Sequence, residues 1–148
     1  MLPHRTIISA LLAFVILFGT MLSASAQTFY EPPRGSDERK AILDAMRPKI
    51  ETEMRGPVEF VVVRLRVMDG FAFAQLEPQR PGGNPINPAN TVWANDIEMM
   101  DGLTVWGLAY EGSSGWGLVD AVTGPTDVAF FNWPEFYGAP PQIFGFQP

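Results

Sequence analysis

Residues 58–78 read VEFVVVRLRVMDGFAFAQLEP, two apolar segments that meet at Asp69-Gly70. The apolar residues alternate with the period of two that is typical of strands, and Asp-Gly between two such segments indicates a type I′ hairpin turn. A two-residue turn fixes the register, so one face is predicted to pair Val67 with Ala72, Leu65 with Ala74 and Val63 with Leu76. The other face carries Arg64 and Arg66 opposite Gln75 and Phe73, and this mixed surface is either half exposed or part of a cleft.

A helix is predicted before this hairpin. Ile42, Met46, Ile50 and Met54 recur at every fourth position, which gives one apolar face. Ser36 is the expected N-cap, and Gly56-Pro57 is expected to end the helix. Pro48 lacks an amide proton and crowds the preceding turn, so we predict a kink or two abutting helical segments.

A second hairpin is predicted after a long loop. Residues 78–90 contain four prolines, two glycines and three asparagines, which no regular element tolerates. Residues 103–111 and 116–123 then form the two strands, with Trp106 opposite Ala121 and Leu108 opposite Val119. Between loop and hairpin, residues 93–100 fit either a short helix or an edge strand. Beyond the hairpin we expect helical turns at residues 126–131 and 134–138 and an extended end.

This order of elements belongs to the α+β class, with one kinked helix packed on a curved antiparallel sheet of about four strands, followed by an aromatic C-terminal tail. We assign it to a single domain, residues 36–148. Over residues 36–123 the architecture resembles the cystatin-like and nuclear transport factor-like folds, a resemblance that implies isomerases, ligand binders or protein inhibitors. The segments GPTDV (124–128) and WPEFYG (133–138) also resemble those of small exported bacterial proteins without an assigned activity.

The first 26 residues have the pattern of an export signal. Arg5 precedes an apolar run at residues 7–22, and Ala24-Ser25-Ala26 provides small residues for cleavage before Gln27. The alternative is an uncleaved anchor, but the run falls short of the roughly 20 residues that a spanning helix needs. We therefore predict a periplasmic or secreted protein, with residues 27–35 as an extended lead-in segment and membrane contact only through the uncleaved signal.

Composition excludes several chemistries. The chain has no cysteine, and its one histidine, His4, lies within the predicted signal. The mature chain would therefore lack a Ser-His-Asp triad, a thiolate nucleophile, a histidine base and the usual zinc or copper ligands, and we expect no metal and no cofactor. Residues 81–148 contain seven acidic residues and no lysine or arginine, which argues against a nucleic-acid partner.

Asp120 is the carboxylate most in need of an explanation, because it lies on an otherwise apolar strand. An ion pair with Arg64 or Arg66 is the favoured interpretation. The alternative is acid/base catalysis by Asp120 with Asp127 or Glu135. Asp96, Glu98 and Asp101 form the densest acidic group, but their spacing favours solvated turn residues over a calcium site.

Four residues are predicted to bind a ligand: Arg64, Arg66, Trp133 and Tyr137. The aromatic tail, residues 130–148, is rich enough in rings to form a sugar-stacking or peptide-binding surface, although covering the open face of the sheet is the favoured interpretation. The cleft is expected between the sheet, residues 78–90 and the tail.

The first functional hypothesis is an exported, non-catalytic binding or accessory protein for a protein, peptide or glycan of the cell envelope. The second is a small carboxylate-dependent enzyme of the hydrolase or isomerase type. The third is a structural envelope protein that associates with itself.

Overall fold

The computed structural model describes residues 28–146, so the predicted signal peptide lies outside the described residues. The elements are α1 (Asp37–Met54), β1 (Glu59–Met68), β2 (Phe71–Gln79), β3 (Val105–Gly112), β4 (Gly115–Thr123), α2 (Trp133–Tyr137) and α3 (Pro141–Phe144), with 3₁₀ turns at Pro88–Asn90 and Ile97–Met99. The strands form one open antiparallel sheet in the order β1-β2-β3-β4, which confirms the predicted α+β class. Within the described residues, no helix combines the length and apolarity needed to cross a membrane.

Helix α1 follows its sequence pattern closely. The Ser36 hydroxyl accepts a hydrogen bond from the Arg39 N–H at 3.2 Å, and the predicted stripe of Ile42, Met46, Ile50 and Met54 is fully buried. Pro48 lies inside one continuous helix, so the alternative of two abutting segments is wrong. A single proline removes one backbone hydrogen bond, and the buried stripe on both sides of it keeps the helix against the sheet.

The first hairpin has the predicted register near its turn and departs from it further away. Pairs from Met68–Phe71 to Arg64–Gln75 are as predicted, but a bulge between Val62 and Arg64 then places Val62 opposite Leu76. The predicted pair of Val63 with Leu76 is therefore wrong. The bulge turns Val63 outward, where 56% of its surface is exposed.

The second hairpin keeps its predicted register near the turn and is shifted by one residue beyond Ala109. Gly112 pairs with Gly115 across the turn, and a shift between Leu108 and Ala109 then pairs Leu108 with Asp120 and Trp106 with Val122. The predicted pairs of Trp106 with Ala121 and Leu108 with Val119 are wrong, because a bulge adds one residue to β4. Asp120 consequently lies across from Leu108.

The sheet is covered on both faces. Helix α1 packs on one face, against a core that includes Leu65, Ala74, Val105 and Ala109. The aromatic tail covers the other face, where Phe73 is fully buried and contacts the rings of Trp106, Phe130, Trp133 and Phe144. These rings complete the second core, as in the interpretation that the sequence favours.

The tail is more helical at its end than predicted and less so at its start. Helix α2 ends at Gly138, which adopts a left-handed conformation with φ of 70°, so the second predicted turn is confirmed. Residues 126–131 form bends and turns without a helix, and the expected extended end contains α3 instead. Pro141 begins α3 because a helix needs no amide donor in its first turn.

Candidate functional site

A large concave surface, here called the tail groove, lies between the lead-in segment, the turn of the first hairpin and the aromatic tail. Its volume is about 1060 Å³. Residues 78–90 line a different and shallower depression with Gly102 and Leu103, so the predicted position of the cleft is wrong in that part. The tail groove is lined by the rings of Phe29, Phe71, Tyr110 and Phe146, by prolines of the tail, and by Arg66, Asp69, Glu135 and Gln142.

The tight turn of the first hairpin shapes one end of the groove. Asp69 and Gly70 both have positive φ, 51° and 76°, as a type I′ turn requires. Tyr110 lies across this turn, close enough that a Cβ on Gly70 would lie 3.3 Å from its ring. Phe71 packs beside Tyr110 with 4.8 Å between ring centroids, and 45% of Tyr110 stays exposed. The two rings therefore form a partly open aromatic platform.

Arg66 supplies the positive charge of the groove. Its guanidinium lies 4.3 Å from the centre of the Phe29 ring, and its Nη1 donates to the carbonyl oxygen of Ile143 over 3.4 Å. Burial lowers the pKa of Arg66, the neighbouring Arg64 lowers it further, and Glu31 opposes both effects. The Nε atom is buried and has no hydrogen-bond partner among the described residues. Arg66 is thus held by a ring and one carbonyl, without a carboxylate bound to it.

The four predicted ligand-binding residues do not come together. Arg66 lines the tail groove, but Arg64 lines a small separate cavity beside Pro32 and Pro33. Trp133 is 3% exposed, with its ring edge-on to Phe73, so it belongs to the core in this conformation. Tyr137 is partly exposed and donates its hydroxyl proton to Asp120.

Asp120 joins β4 to the tail. Its Oδ1 accepts from the Ala121 N–H at 2.7 Å, and its Oδ2 accepts from the Tyr137 hydroxyl at 2.7 Å, a bond that raises the pKa of Tyr137. The predicted ion pair with Arg64 or Arg66 is wrong. Those arginines lie on β1, at the opposite edge of the sheet, and three strand spacings of about 4.8 Å separate the two edges.

The other predicted catalytic carboxylates lie in different surroundings. Glu135 lines the tail groove, whereas Asp127 lines a smaller cavity with Trp106 and Phe130. In residues 28–146, no three carboxylate, histidine or cysteine side chains are arranged to hold a metal ion, and this covers Asp96, Glu98 and Asp101.

Sequence reasoning missed the platform of Phe71 and Tyr110. The Asp69-Gly70 turn was the available signal for Phe71, because the first residue after a tight turn lies at the exposed end of a strand. Tyr110 carried no such signal, since its neighbourhood depends on pairing between β2 and β3. Comparisons of the chain with protein-family models, with curated proteins and with solved structures gave no match.

Proposed function

We propose that this protein is an exported, non-catalytic binding module whose tail groove binds a glycan chain of the cell envelope. The observation that carries the proposal is the composition of the groove. It combines the open platform of Phe71 and Tyr110 with one guanidinium, two carboxylates and one amide.

The platform and the polar groups have complementary roles. Aromatic faces provide contact area at low conformational cost and suit the apolar faces of sugar rings. Asp69 and Glu135 offer acceptors to sugar hydroxyls, Arg66 offers donors, and the amide nitrogen of Gln142, whose oxygen is buried, offers further donors. Arg66 also provides a contact for an acidic sugar. Planar polar groups beside exposed rings fit a carbohydrate better than they fit a purely apolar ligand.

The size of the groove favours an elongated ligand. Its volume of about 1060 Å³ lies at the upper end of the roughly 300–1,000 Å³ of small-molecule sites. The groove is also open to solvent, so a chain of several sugar units can enter it.

Binding is favoured over catalysis by the available side chains. Beyond His4 the chain has neither histidine nor cysteine, so acid/base chemistry depends on carboxylates. Both oxygens of Asp120 already accept hydrogen bonds within the protein. Export rests on the signal pattern of residues 1–26, and N-terminal sequencing of protein from the extracellular or periplasmic fraction tests it, with Gln27 as the expected first residue.

The binding test uses two soluble oligosaccharides, chitotetraose and maltotetraose, titrated into the mature protein by calorimetry. We expect at least one to bind and Tyr110→Ala to weaken it by roughly 3- to 10-fold, the loss of one stacking contact. Phe136→Ala is the matched control, because Phe136 is 69% exposed and lies outside the groove. This control is expected to bind as tightly as the wild type.

Three outcomes would overturn the proposal. The first is absence of binding to both saccharides, and the second is equal weakening by Tyr110→Ala and Phe136→Ala. The third is release of reducing ends that is abolished in Glu135→Gln, which would make the protein a carboxylate-dependent hydrolase instead.

A further inference from the structure

A second concave surface, here called the basic groove, lies between the first half of α1 and β1, away from the tail groove. Its volume is about 540 Å³. Leu43, Phe60 and Val62 form an apolar floor, and four basic residues surround it: Arg34, Arg39, Lys40 and Arg47. This concentration of positive charge occurs in a chain whose net charge is −6.

The positive charge of this region is only partly balanced. Asp44 is the single carboxylate that lines the basic groove, and it binds both Lys40 and Arg47. The hydrogen bond from Lys40, followed by that from Arg47, lowers the pKa of Asp44 despite its partial desolvation. Arg34, Arg39 and nearby Arg64 form no ion pair within the part of the chain that the structure describes. Arg39 donates one hydrogen bond to the Pro32 carbonyl oxygen at 3.1 Å, and within residues 28–146 none of the three arginines has a carboxylate partner, so their charge is available to an anionic partner.

The adjacent strand β1 is an open sheet edge. The lead-in segment pairs with it at one point, where Tyr30 and Val67 exchange two backbone hydrogen bonds of 2.9 and 2.8 Å. Pro32 and Pro33 have no N–H group, and residues 31–34 line a cavity of about 280 Å³ together with residues 62–65 of β1. Along residues 59–65, the outer side of the strand has no backbone partner among residues 28–146.

Exposed apolar side chains accompany the unpaired backbone. Val61 and Val63 are 48% and 56% exposed on this edge strand. An unpaired edge with exposed valines is a template for another strand, and natural sheets usually block such edges. Both edge strands carry a bulge, but on β4 Asp120 also binds the N–H of Ala121. Among residues 28–146 no side chain binds an N–H of residues 59–65, so the backbone of β1 stays open to a partner.

The positive charge beside β1 indicates which kind of partner this edge binds. A second copy that paired through its own β1 would bring a second set of the basic residues of the groove to the same edge, which is unfavourable. A flat anionic membrane reaches the arginines around the groove but leaves the N–H and C=O groups of β1 unpaired. An extended acidic peptide satisfies both the arginines and the backbone.

We propose that the outer edge of β1 and the basic groove together form a docking site for an extended acidic peptide segment, which adds a fifth strand to the sheet. Backbone hydrogen bonds to residues 59–65 hold the segment. Its carboxylates pair with Arg34, Arg39 and Arg64, and its apolar side chains lie beside Val61 and Val63. The site is separate from the tail groove.

The test measures fluorescence anisotropy of a labelled peptide of about eight alternating valine and glutamate residues, near the length of a typical strand. We expect it to bind, and more weakly as salt is added. A peptide of alternating valine and lysine is expected not to bind. Two further valine-glutamate peptides carry N-methyl groups on alternate amides, one in each register. At least one of them is expected to bind about tenfold more weakly, because it loses the strand hydrogen bonds.

The matched protein variants separate this site from general electrostatics. Arg34→Glu/Arg64→Glu is expected to weaken the valine-glutamate peptide by about tenfold or more, whereas Arg55→Glu, at an exposed arginine after α1, is expected to change it less than about twofold. Circular dichroism checks that each variant is folded. Saccharide binding in the tail groove is expected to be unchanged in the double variant. Failure of the peptide proposal can therefore be distinguished from failure of the saccharide proposal.

Four results would overturn the proposal. They are no binding of the valine-glutamate peptide, equal binding of the lysine peptide, equal binding of both N-methylated peptides, and equal weakening by Arg55→Glu. Binding to phosphatidylglycerol vesicles without peptide binding would assign the surface to a membrane. Dimers in sedimentation that are lost in the double variant would assign it to a second copy.

Discussion

Gly107 on β3 lies directly beneath α1, and the Met46 side chain fills the space where a side chain would be. A Cβ at Gly107 would lie 2.8 Å from Met46 Sδ and 3.2 Å from Met46 Cε, closer than the roughly 3.5–4.0 Å of ordinary contact. Met46 is fully buried, so its thioether must rotate within the packed core to make room for the new methyl group. We expect Gly107→Ala to lower the free energy of unfolding.

The size of the effect follows from two opposing contributions. An extra buried methyl group in a packed core costs about 1–3 kcal/mol. Replacing glycine by alanine also restricts the unfolded chain, which restores about 0.4–1 kcal/mol where the backbone conformation is compatible. Gly107 has no positive φ, so this gain applies, and the expected net loss is about 1 kcal/mol, between bounds of roughly 0 and 2.6 kcal/mol.

Gly117 on β4 provides the matched control. It also lacks a positive φ, and a Cβ there would have no heavy atom within 4 Å. Gly117→Ala is therefore expected to leave stability unchanged or to raise it by up to about 1 kcal/mol. Urea denaturation followed by circular dichroism and tryptophan fluorescence gives both free energies, with the slope checked for constancy.

A double variant tests whether contact with Met46 causes the loss of stability in Gly107→Ala. Met46→Ala alone is expected to cost about 2–5 kcal/mol. Combined with Gly107→Ala, the loss should fall short of the sum by about 1 kcal/mol, because the new methyl group fills part of the cavity. Equal midpoints for Gly107→Ala and Gly117→Ala, or strict additivity with Met46→Ala, would refute the packing of α1 on β3 described above.

The other predictions concern the tail, the hydrogen bond between Tyr30 and Glu38, and the turn at Gly124. Trp133→Ala should cost about 3–5 kcal/mol in urea denaturation, and Phe136→Ala less than about 0.5 kcal/mol; similar losses would contradict the burial of Trp133. The hydrogen bond to Glu38 raises the pKa of Tyr30 from 10.0 to about 12, so its stabilisation is complete below pH 10 and is lost as the pH rises through 12. Tyr30→Phe should therefore lose less stability than the wild type across that window, and parallel curves would contradict the bond. Gly124 has φ of 60° and a Cβ there would lie 2.4 Å from the Gly102 oxygen, so Gly124→Ala should lower the Tm by several degrees, as expected for a loss of more than about 1 kcal/mol; an unchanged Tm would refute this turn geometry.

Local patterns predict the elements of this fold but not the exact register of its strands. Helix α1 and both hairpins have their signals within a few neighbouring residues, in the Ser36 cap and the Asp69-Gly70 turn. The bulges lie where alternation is lost. Val61, Val62 and Val63 are all apolar, and so are Leu118 and Val119, so the pattern leaves open which residue faces the core. Contacts with α1 and with the aromatic tail determine which of these residues face the core.

The candidate site depends even more on distant residues. Arg66 could be identified from the sequence because two arginines interrupt an apolar strand. The partner of Asp120 could not, because it depends on strand order, which places β1 and β4 at opposite edges. The tail groove combines the lead-in segment, one hairpin turn and the tail, and no local pattern indicates that these three segments meet.

The aromatic tail covers one face of the sheet, and this arrangement has a consequence while the chain is being synthesised. Residues 130–146 follow all four strands in the chain, yet they shield Phe73 and Leu108, which are fully buried in the complete fold. While the four strands have left the ribosome and this segment has not, the nascent chain presents an aromatic face to its surroundings. We therefore expect the unfinished chain to bind chaperones strongly, and that binding to cease once Phe130 and Phe144 have emerged.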